Sequence, residues 1–273
     1  MSSDRTTTEL RRTVRFSINP DGSTHGQNNF AGTPASSGLS RYYEITLGVL
    51  GIPAPDTGYL IGIQEIDALV RRELLPIIGK ACTHTPQRDP AGMLDELWEA
   101  ASNASNQPLS LLRWALSPYY CVEMTTPSHH AHEVLLRQTF EFAGAHRLHT
   151  PSMSDEENAA FFGKCNNLSG HGHNYRLEPT IAVPLESVGR VNAQHELQRA
   201  VNEILLEQLD HTFLNSDCAW FNQSAGGVIP SVENIARICF EQLAPAIESI
   251  GHGLRLVRLQ AWETEKTSAI YPA

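Results

Sequence analysis

The stretch KCNNLSGHGHNYRLEP, residues 164–179, contains a cysteine, then two histidines on either side of a glycine, and then the pattern of a β-strand. His171 and His173 are two residues apart, so on a strand their side chains leave from the same face. Two imidazoles on one face can bind one metal ion, and Cys165 precedes them closely. The stretch predicts a strand that carries a metal site with a thiol beside it; the alternative is a chance grouping.

A third ligand is expected from the preceding strand. His146, in FAGAHRL, stands near its end, and consecutive strands are commonly neighbours in a sheet. Three imidazoles and an open position suit Zn²⁺ acting as a Lewis acid, whereas a structural zinc site takes four protein ligands. Cys165 is either that fourth ligand or an unbound thiol whose pKa the nearby dication lowers. The spacing leaves both alternatives open.

A second cluster, Asp210 and His211 in LEQLDHTFLN, stands at the end of a predicted helix. An Asp–His pair can hold or transfer a proton if the imidazole reaches a reacting group. The same pair at a helix end is more commonly a cap with a cation that suits the helix dipole. Both interpretations stay open from the residues alone.

The C-terminal half predicts two strands, two helices and a closing hairpin. The first helix shows apolar residues at i, i+4, i+7 and i+8. Ser231 is the expected N-cap of the second helix, with Glu233 in its first turn. The strands are expected at 134–148 and 173–184, the helices at 191–209 and 230–247, and the hairpin at 254–271.

The N-terminal half repeats this order more loosely. GYLIGIQEIDALVRRELL (58–75) resembles GRVNAQHELQRAVNEILL (189–206) in its apolar pattern and its double leucine. We infer an internal duplication of about 120 residues, a two-copy repeat rather than a solenoid. Strands are expected at 12–20, 41–51 and 109–124, and helices at 58–78 and 89–101.

The composition excludes several classes of protein. The 273 residues carry a formal net charge of −10, which argues against broad binding to nucleic acid or to anionic membranes. No run of eighteen apolar residues is present, so a membrane span is not expected. The five cysteines are irregularly spaced, which fits a reduced, cytoplasmic protein better than a disulfide framework.

The C-terminal half resembles the 6-pyruvoyl-tetrahydropterin synthase family over nearly all of residues 138–271. The resemblance implies a T-fold, in which a four-stranded antiparallel sheet carries two helices on one side. It also implies a homo-oligomer whose subunits join through their sheets into β-barrel rings with active sites at interfaces. The matching segments, in order, are FEFAGAHRL, SDEENAAFFGKCNNLSGHGHNYRLE, LDHTFLN, PSVENIAR and WETEKTSAIY.

The resemblance also implies roles for individual residues. His146, His171 and His173 match the zinc ligands of the family. Cys165 matches its catalytic cysteine, which favours the base over the fourth ligand. Asp210 and His211 match the pair that acts with this cysteine in proton transfer.

The same resemblance assigns the substrate contacts. Glu263 in AWETEK matches the glutamate that binds the amino and ring N–H groups of the pterin, a suitable partner for a carboxylate. Ser231 stands where the family usually has threonine, so its pterin contact is a weaker match. A polyanionic substrate needs a local basic patch in this acidic chain, and Arg147 and Lys164 are the expected members.

The implied reaction is the zinc-dependent conversion of 7,8-dihydroneopterin triphosphate to 6-pyruvoyl-tetrahydropterin with loss of triphosphate, a step in tetrahydrobiopterin biosynthesis. Relatives with the same fold make 6-carboxytetrahydropterin from this substrate, and the five residues between Cys165 and His171 favour the pyruvoyl type. A T-fold protein that binds pterin without turnover is a third alternative.

The expected organisation is α+β, a tandem T-fold. It comprises a disordered tail (1–11), a degenerate T-fold-like domain without a metal site (12–127), a linker (128–133) and the catalytic domain (134–273). No His-x-His occurs in residues 1–128, and Pro118 falls opposite Glu263 when the two halves are aligned. The N-terminal copy is therefore expected to supply barrel strands and interface walls rather than chemistry.

Overall fold

The computed structural model describes residues 7–25, 35–126 and 132–273. The chain divides into two compact units, Met1–Leu136 with Val183–Val191, and Arg137–Ala182 with Asn192–Ala273. The predicted α+β class is confirmed, because each unit contains a sheet and helices. No helix among the described residues is long and apolar enough to cross a membrane.

The first unit is built on a four-stranded antiparallel sheet in the order β1, β3, β4, β5, with the short β2 paired to the end of β1. Alternate residues of the long strands, among them Val14, Phe16, Ile45 and Leu47, are buried because they face the core. The strands are β1 (Thr8–Ile18), β2 (Thr24–His25), β3 (Arg41–Gly51), β4 (Leu109–Ser117) and β5 (Tyr120–Thr125).

The helices of the first unit lie between β3 and β4 in the chain. α1 (Ile63–Leu69) continues through a π-helical segment, Val70–Leu74, into α2 (Leu75–His84), and α3 (Leu94–Ala104) follows. Leu69, Leu74, Ile78 and Leu97 are buried and form the helical side of the core. Apart from the two-residue β2, the order is ββααββ, as expected for a repeat of the C-terminal half, with two strands where the single strand 109–124 was predicted.

The second unit has a four-stranded antiparallel sheet in the order β7, β8, β10, β11. The outer edge of β7 pairs in parallel with only two residues, β9, so the sheet is not closed. The long helix α8 packs on β10 and β11. The strands are β7 (Phe140–His146), β8 (His171–Pro184), β9 (Thr212–Phe213), β10 (Arg255–Thr264) and β11 (Thr267–Tyr271).

Three longer helices and two short ones complete the second unit among the described residues. A π-helical segment, Val201–Leu206, joins α5 to α6, so this part forms one nearly continuous helix close to the predicted 191–209. The helices are α4 (Asp155–Phe162), α5 (Ala193–Ala200), α6 (Glu207–Leu209), α7 (Leu214–Asp217) and α8 (Val232–Ser249).

Two predicted strands are divided in the structure. The segment 134–148 breaks at Thr139 into β6 (Glu133–Gln138) and β7. The segment 109–124 is a hairpin of β4 and β5, since Pro118 in the turn cannot donate to a ladder.

Two predicted domain boundaries lie at strands or outside the described residues. Of the expected disordered tail, 1–11, residues 1–6 lie outside the described part of the chain, and residues 8–11 belong to β1 and pair with residues 48–51 of β3. Residues 128–131 of the predicted linker lie outside the described part of the chain, and Glu133 already belongs to β6.

Candidate metal centre and active site

The three predicted histidine ligands lie together on one face of β7 and β8. The antiparallel register places His146 directly opposite His171, and Gly144 opposite His173. Since side chains two residues apart on a strand share a face, all three imidazoles point to the same side. One ligand nitrogen from each histidine lies within 4.8 Å of the others, so the group can hold a metal ion.

His146 is the fixed member of this group. Its side chain is fully buried, and its Nδ1 donates a hydrogen bond of 2.7 Å to the carbonyl oxygen of Pro230. That bond assigns the proton to Nδ1 and leaves Nε2 with a free lone pair. Burial lowers the pKa of His146 to about 4, so the ring is neutral at pH 7. Neutral imidazole with an anchored second nitrogen is the form that binds metals.

The remaining polar atoms of the cluster test whether a metal ion fits. The Nε2 atoms of His146 and His171 lie only 3.1 Å apart. His171 Nδ1 and His173 Nε2 are buried and have no hydrogen-bond partner among the described residues. A buried polar atom without a partner lowers the stability of the fold. A bound cation would serve as the partner of each nitrogen whose lone pair points at it. The donor set, three imidazole nitrogens, suits Zn²⁺ with an open position.

Glu263 lies against the same histidines. It stands near the end of β10, beside a bulge between Trp262 and Thr264. Its Oε1 is 3.3 Å from His146 Nε2 and 3.7 Å from His173 Nε2, and its side chain is mostly buried. The predicted pterin anchor therefore lies in contact with two of the predicted metal ligands.

Cys165 is held close to this cluster by backbone contacts. It lies in the 3₁₀ turn Gly163–Asn166, and its carbonyl accepts a 2.8 Å hydrogen bond from the Leu148 N–H. It lines an open pocket of about 460 Å³ together with Lys164 and His171. The thiol and one predicted metal ligand thus border the same space.

Arg147 fixes the same turn from the side. Its Nε donates to both the carbonyl oxygen and Oδ1 of Asn166, at 3.1 and 3.0 Å. Its backbone N–H donates to Asn215 Oδ1. The guanidinium that was predicted to bind triphosphate is therefore engaged with the residue that follows Cys165.

The loop before the cysteine depends on a residue that the sequence analysis missed. Asn158 in α4 is fully buried; its Nδ2 donates to the carbonyls of Thr150, Met153 and Ser154, and its Oδ1 accepts from the Thr150 N–H. The helix itself begins with a capping box between Ser154 and Glu157. That Ser-x-x-Glu spacing was the available sequence signal for this helix.

Asp210 and His211 are fixed to the middle of β7. The Ala143 N–H donates to Asp210 Oδ1 at 2.9 Å, and the His211 N–H donates to the Ala143 carbonyl. His211 Nδ1 lies 2.9 Å from Asp210 Oδ2, and 82% of the His211 side chain is exposed. The hydrogen bond from Ala143, followed by the contact with His211, holds the pKa of Asp210 below its ordinary value.

Within one chain, His211 and Cys165 line two different open pockets. His211 lines an open pocket of about 560 Å³ with Gly144 and Phe213. That pocket shares no lining residue with the pocket of Cys165. Ser231 is also engaged elsewhere: it is the N-cap of α8, as predicted, and its hydroxyl accepts from the Asn234 N–H.

Known proteins resemble the part of the chain that carries this site. A family model described as 6-pyruvoyl tetrahydropterin synthase matches residues 135–273, about half of the chain. The 6-pyruvoyl tetrahydrobiopterin synthase of Poecilia reticulata is 35% identical over 132 residues, which cover 48% of this chain and 84% of that protein. The chain belongs to the 6-pyruvoyl tetrahydropterin synthase family.

Another curated relative agrees with this membership, and one solved structure is similar to part of the chain. The human 6-pyruvoyl tetrahydrobiopterin synthase is 32% identical over 131 residues, covering 48% of this chain and 85% of that protein. The solved structure of Caenorhabditis elegans 6-pyruvoyl tetrahydropterin synthase matches at 31% identity and a TM-score of 0.44, covering 51% of this chain and 94% of that one. The predicted family and the predicted enzyme class, a lyase of this type, are confirmed.

Proposed function

We propose that this protein is a zinc-dependent lyase that converts 7,8-dihydroneopterin triphosphate to 6-pyruvoyl-tetrahydropterin with release of triphosphate. The observation that carries the proposal is the convergence of His146, His171 and His173 on one face, with Glu263 against them and Cys165 bordering the same space. Family membership supports the reaction type.

The three histidines would hold the zinc ion, which when bound would supply a Lewis acid next to the substrate side chain. Glu263 orients the substrate, because its carboxylate accepts hydrogen bonds from the amino group and ring N–H of the pterin. Cys165 acts as the base that removes a proton from a side-chain carbon as the triphosphate leaves from the next carbon. The rearrangement is an internal redox change and needs no external oxidant.

Asp210 and His211 return a proton to the rearranging side chain, with Asp210 orienting the imidazole. Because His211 and Cys165 line separate pockets within one chain, we place the pair in the active site of a second copy. The active form is then a homo-oligomer. This agrees with the family resemblance, which implies that subunits join through their sheets into β-barrel rings. Subunit mixing tests this part of the proposal.

The complementation experiment uses two inactive variants, Cys165→Ala and His211→Ala. If the site is shared between copies, refolding them together restores part of the activity, because some interfaces then receive an intact cysteine and an intact histidine. Each variant refolded alone is the control. No recovery in the mixture would mean that both residues act within one chain.

We propose that the first unit is a degenerate T-fold copy with a structural role. In each unit, we count residue pairs from the loop that connects the two strands. In the first unit, Ile18 pairs with Arg41 next to the loop, and Phe16 pairs with Tyr43 two positions further on. At the same two positions, the second unit pairs His146 with His171 and Gly144 with His173. The Tyr43 ring packs at 5.5 Å on Trp114 and at 6.0 Å on Phe16.

At the places of His146, His171 and His173 the first unit therefore has Ile18, Arg41 and Tyr43, and Tyr43 belongs to an aromatic cluster with Phe16 and Trp114. The proposal predicts one zinc ion per chain by elemental analysis, and two would overturn it. The free thiols, among them the buried Cys218 and Cys239, fit a reducing compartment, and we propose the cytoplasm.

The product decides between pyruvoyl and carboxy chemistry. The zinc-loaded protein is incubated with 7,8-dihydroneopterin triphosphate, and the product is identified by mass spectrometry. A product that keeps the three-carbon side chain, with free triphosphate, supports the proposal. A shortened carboxyl side chain would identify a 6-carboxytetrahydropterin synthase, and pterin binding without turnover would identify a non-catalytic binding protein.

A further inference from the structure

A buried hydroxyl at the base of the histidine cluster has no role in the mechanism above. Tyr175 on β8 is fully buried, and its hydroxyl has no hydrogen-bond partner among the described residues. A tyrosine hydroxyl buried in a protein usually finds a partner, because an unsatisfied one costs free energy. The hydroxyl is therefore either a defect of packing or a group whose partner arrives with a ligand.

The position of the ring favours the ligand. Tyr175 lies on the same face of β8 as His171 and His173, and it stacks on Phe142 of β7 with ring centroids 4.8 Å apart. Its edge contacts are with His146 at 5.9 Å and His173 at 5.4 Å. Because Phe142 stacks on the ring and two imidazoles of the cluster contact it, the Tyr175 ring is held beside the site.

The charged groups nearby agree with this placement. The Tyr175 ring contacts His146 and His173, and Glu263 Oε1 lies 3.3 and 3.7 Å from the Nε2 atoms of the same two histidines. A tyrosine hydroxyl can donate a hydrogen bond beside this carboxylate. Glu263 can only accept hydrogen bonds when ionised, so the substrate's oxygen atoms need a donor from another residue.

We propose that the Tyr175 hydroxyl donates a hydrogen bond to an oxygen of the bound pterin substrate, beside the N–H groups that Glu263 accepts. The acceptor is either the ring carbonyl, which adjoins those N–H groups, or a side-chain oxygen. The inference rests on the proposed function and adds a binding residue to it. Tyr175 would then make substrate recognition depend on one donor that complements the Glu263 acceptor.

The test is Tyr175→Phe, which removes one oxygen and keeps the ring that stacks on Phe142. We expect kcat/KM for 7,8-dihydroneopterin triphosphate to fall at least fivefold. Zinc content should stay at the wild-type value, and the melting temperature should be unchanged or higher, because an unpartnered buried hydroxyl is removed. Gain of stability with loss of activity is a result that a purely structural tyrosine would not give.

The matched control is Tyr43→Phe in the first unit, where the ring packs on Phe16 and Trp114. This variant should keep its activity and its zinc content. Unsubstituted pterin, which lacks the side-chain oxygens, separates the two acceptors. Weaker pterin binding by Tyr175→Phe would identify the ring carbonyl, and unchanged pterin binding with lower kcat/KM would identify a side-chain oxygen.

The inference is wrong if Tyr175→Phe has a kcat/KM within twofold of the wild type. It is also wrong if the variant loses stability and zinc together, since the hydroxyl would then support the fold. Failure of the proposed function is a separate outcome, because it would appear as absent turnover in the wild-type protein.

Discussion

His146 and His171 face each other across β7 and β8, and their Nε2 atoms lie 3.1 Å apart. The His146 proton is on Nδ1, where it is donated to the Pro230 carbonyl, so the Nε2 lone pair points at the neighbouring ring. Two nitrogens at this distance need either a proton or a cation between them. This pair therefore defines the position at which a metal ion is expected.

The first prediction concerns that position. His171→Ala should lower zinc affinity by more than 100-fold, because loss of a direct ligand costs more than the 10–100-fold typical of outer-shell partners. Competition with a chromophoric chelator measures the affinity. His195→Ala, an exposed histidine of α5, is the matched control and should bind zinc like the wild type. Equal affinities for both variants would contradict the three-histidine site.

The second prediction separates two roles for Arg147. If its charge binds triphosphate, Arg147→Lys keeps most of the function. If its Nε holds both oxygens of Asn166, lysine loses this contact, because its ammonium lies at a different place from the arginine Nε. We expect kcat to fall about tenfold or more with little change in KM, because small misplacement of a reacting group is costly.

The control for this prediction is Arg199→Lys on the exposed side of α5, which should leave kcat unchanged. Alkylation of Cys165, followed by mass spectrometry of its peptide, gives a second measurement that does not depend on turnover. We expect its rate to change in Arg147→Lys, because the turn that carries the thiol is released. A rise in KM alone would favour triphosphate binding.

The third prediction concerns Gly170, directly before His171. Its φ is +68°, and a Cβ there would lie 2.7 Å from Phe213 Cε2 and 3.0 Å from the His146 carbonyl oxygen. Gly170→Ala should lower the free energy of unfolding by about 3 kcal/mol, from backbone strain and overpacking together. Gly251→Ala, also at positive φ but in open space, should cost only about 1 kcal/mol. Urea denaturation measures both, and equal costs would contradict the close contact.

The fourth prediction tests the aromatic cluster of the first unit. Trp114 is almost fully buried, and its Nε1 has no hydrogen-bond partner among the described residues. Trp114→Ala should destabilise the protein by about 3–5 kcal/mol through the cavity it leaves. Trp114→Phe should cost far less, since no hydrogen bond is lost. Zinc content should not change in either variant, and a lower content would assign the cluster a role in metal binding.

The fifth prediction is a pH dependence at Asp210. Its pKa is depressed in the folded protein, so its stabilising contribution is present above the ordinary carboxyl pKa and is lost as the pH falls through the lower, folded value. The difference in melting temperature between the wild type and Asp210→Asn should therefore shrink from pH 7 towards pH 2.5. Glu265→Gln, in the exposed turn after β10, is the control. A difference that grows on acidification would contradict the assignment.

Local pattern was enough for much of the fold. The helix at 230–247 and its Ser231 cap were predictable, because a capping serine before an apolar periodic segment is a local signal. The hairpin at 254–271 followed from alternation and a polar turn. The split of 134–148 at Thr139 was not predicted, because both halves have strand character and no local signal separates them.

The sequence by itself determined the family and predicted the three histidines as metal ligands, because a His-x-His on a strand fixes two side chains on one face. Only the tertiary structure decided what surrounds them: the Pro230 carbonyl that orients His146, the Asn166 contacts that engage Arg147, and the separate pockets of Cys165 and His211. These contacts join residues far apart in the chain. Their partners are chosen by packing, which a one-dimensional pattern does not encode.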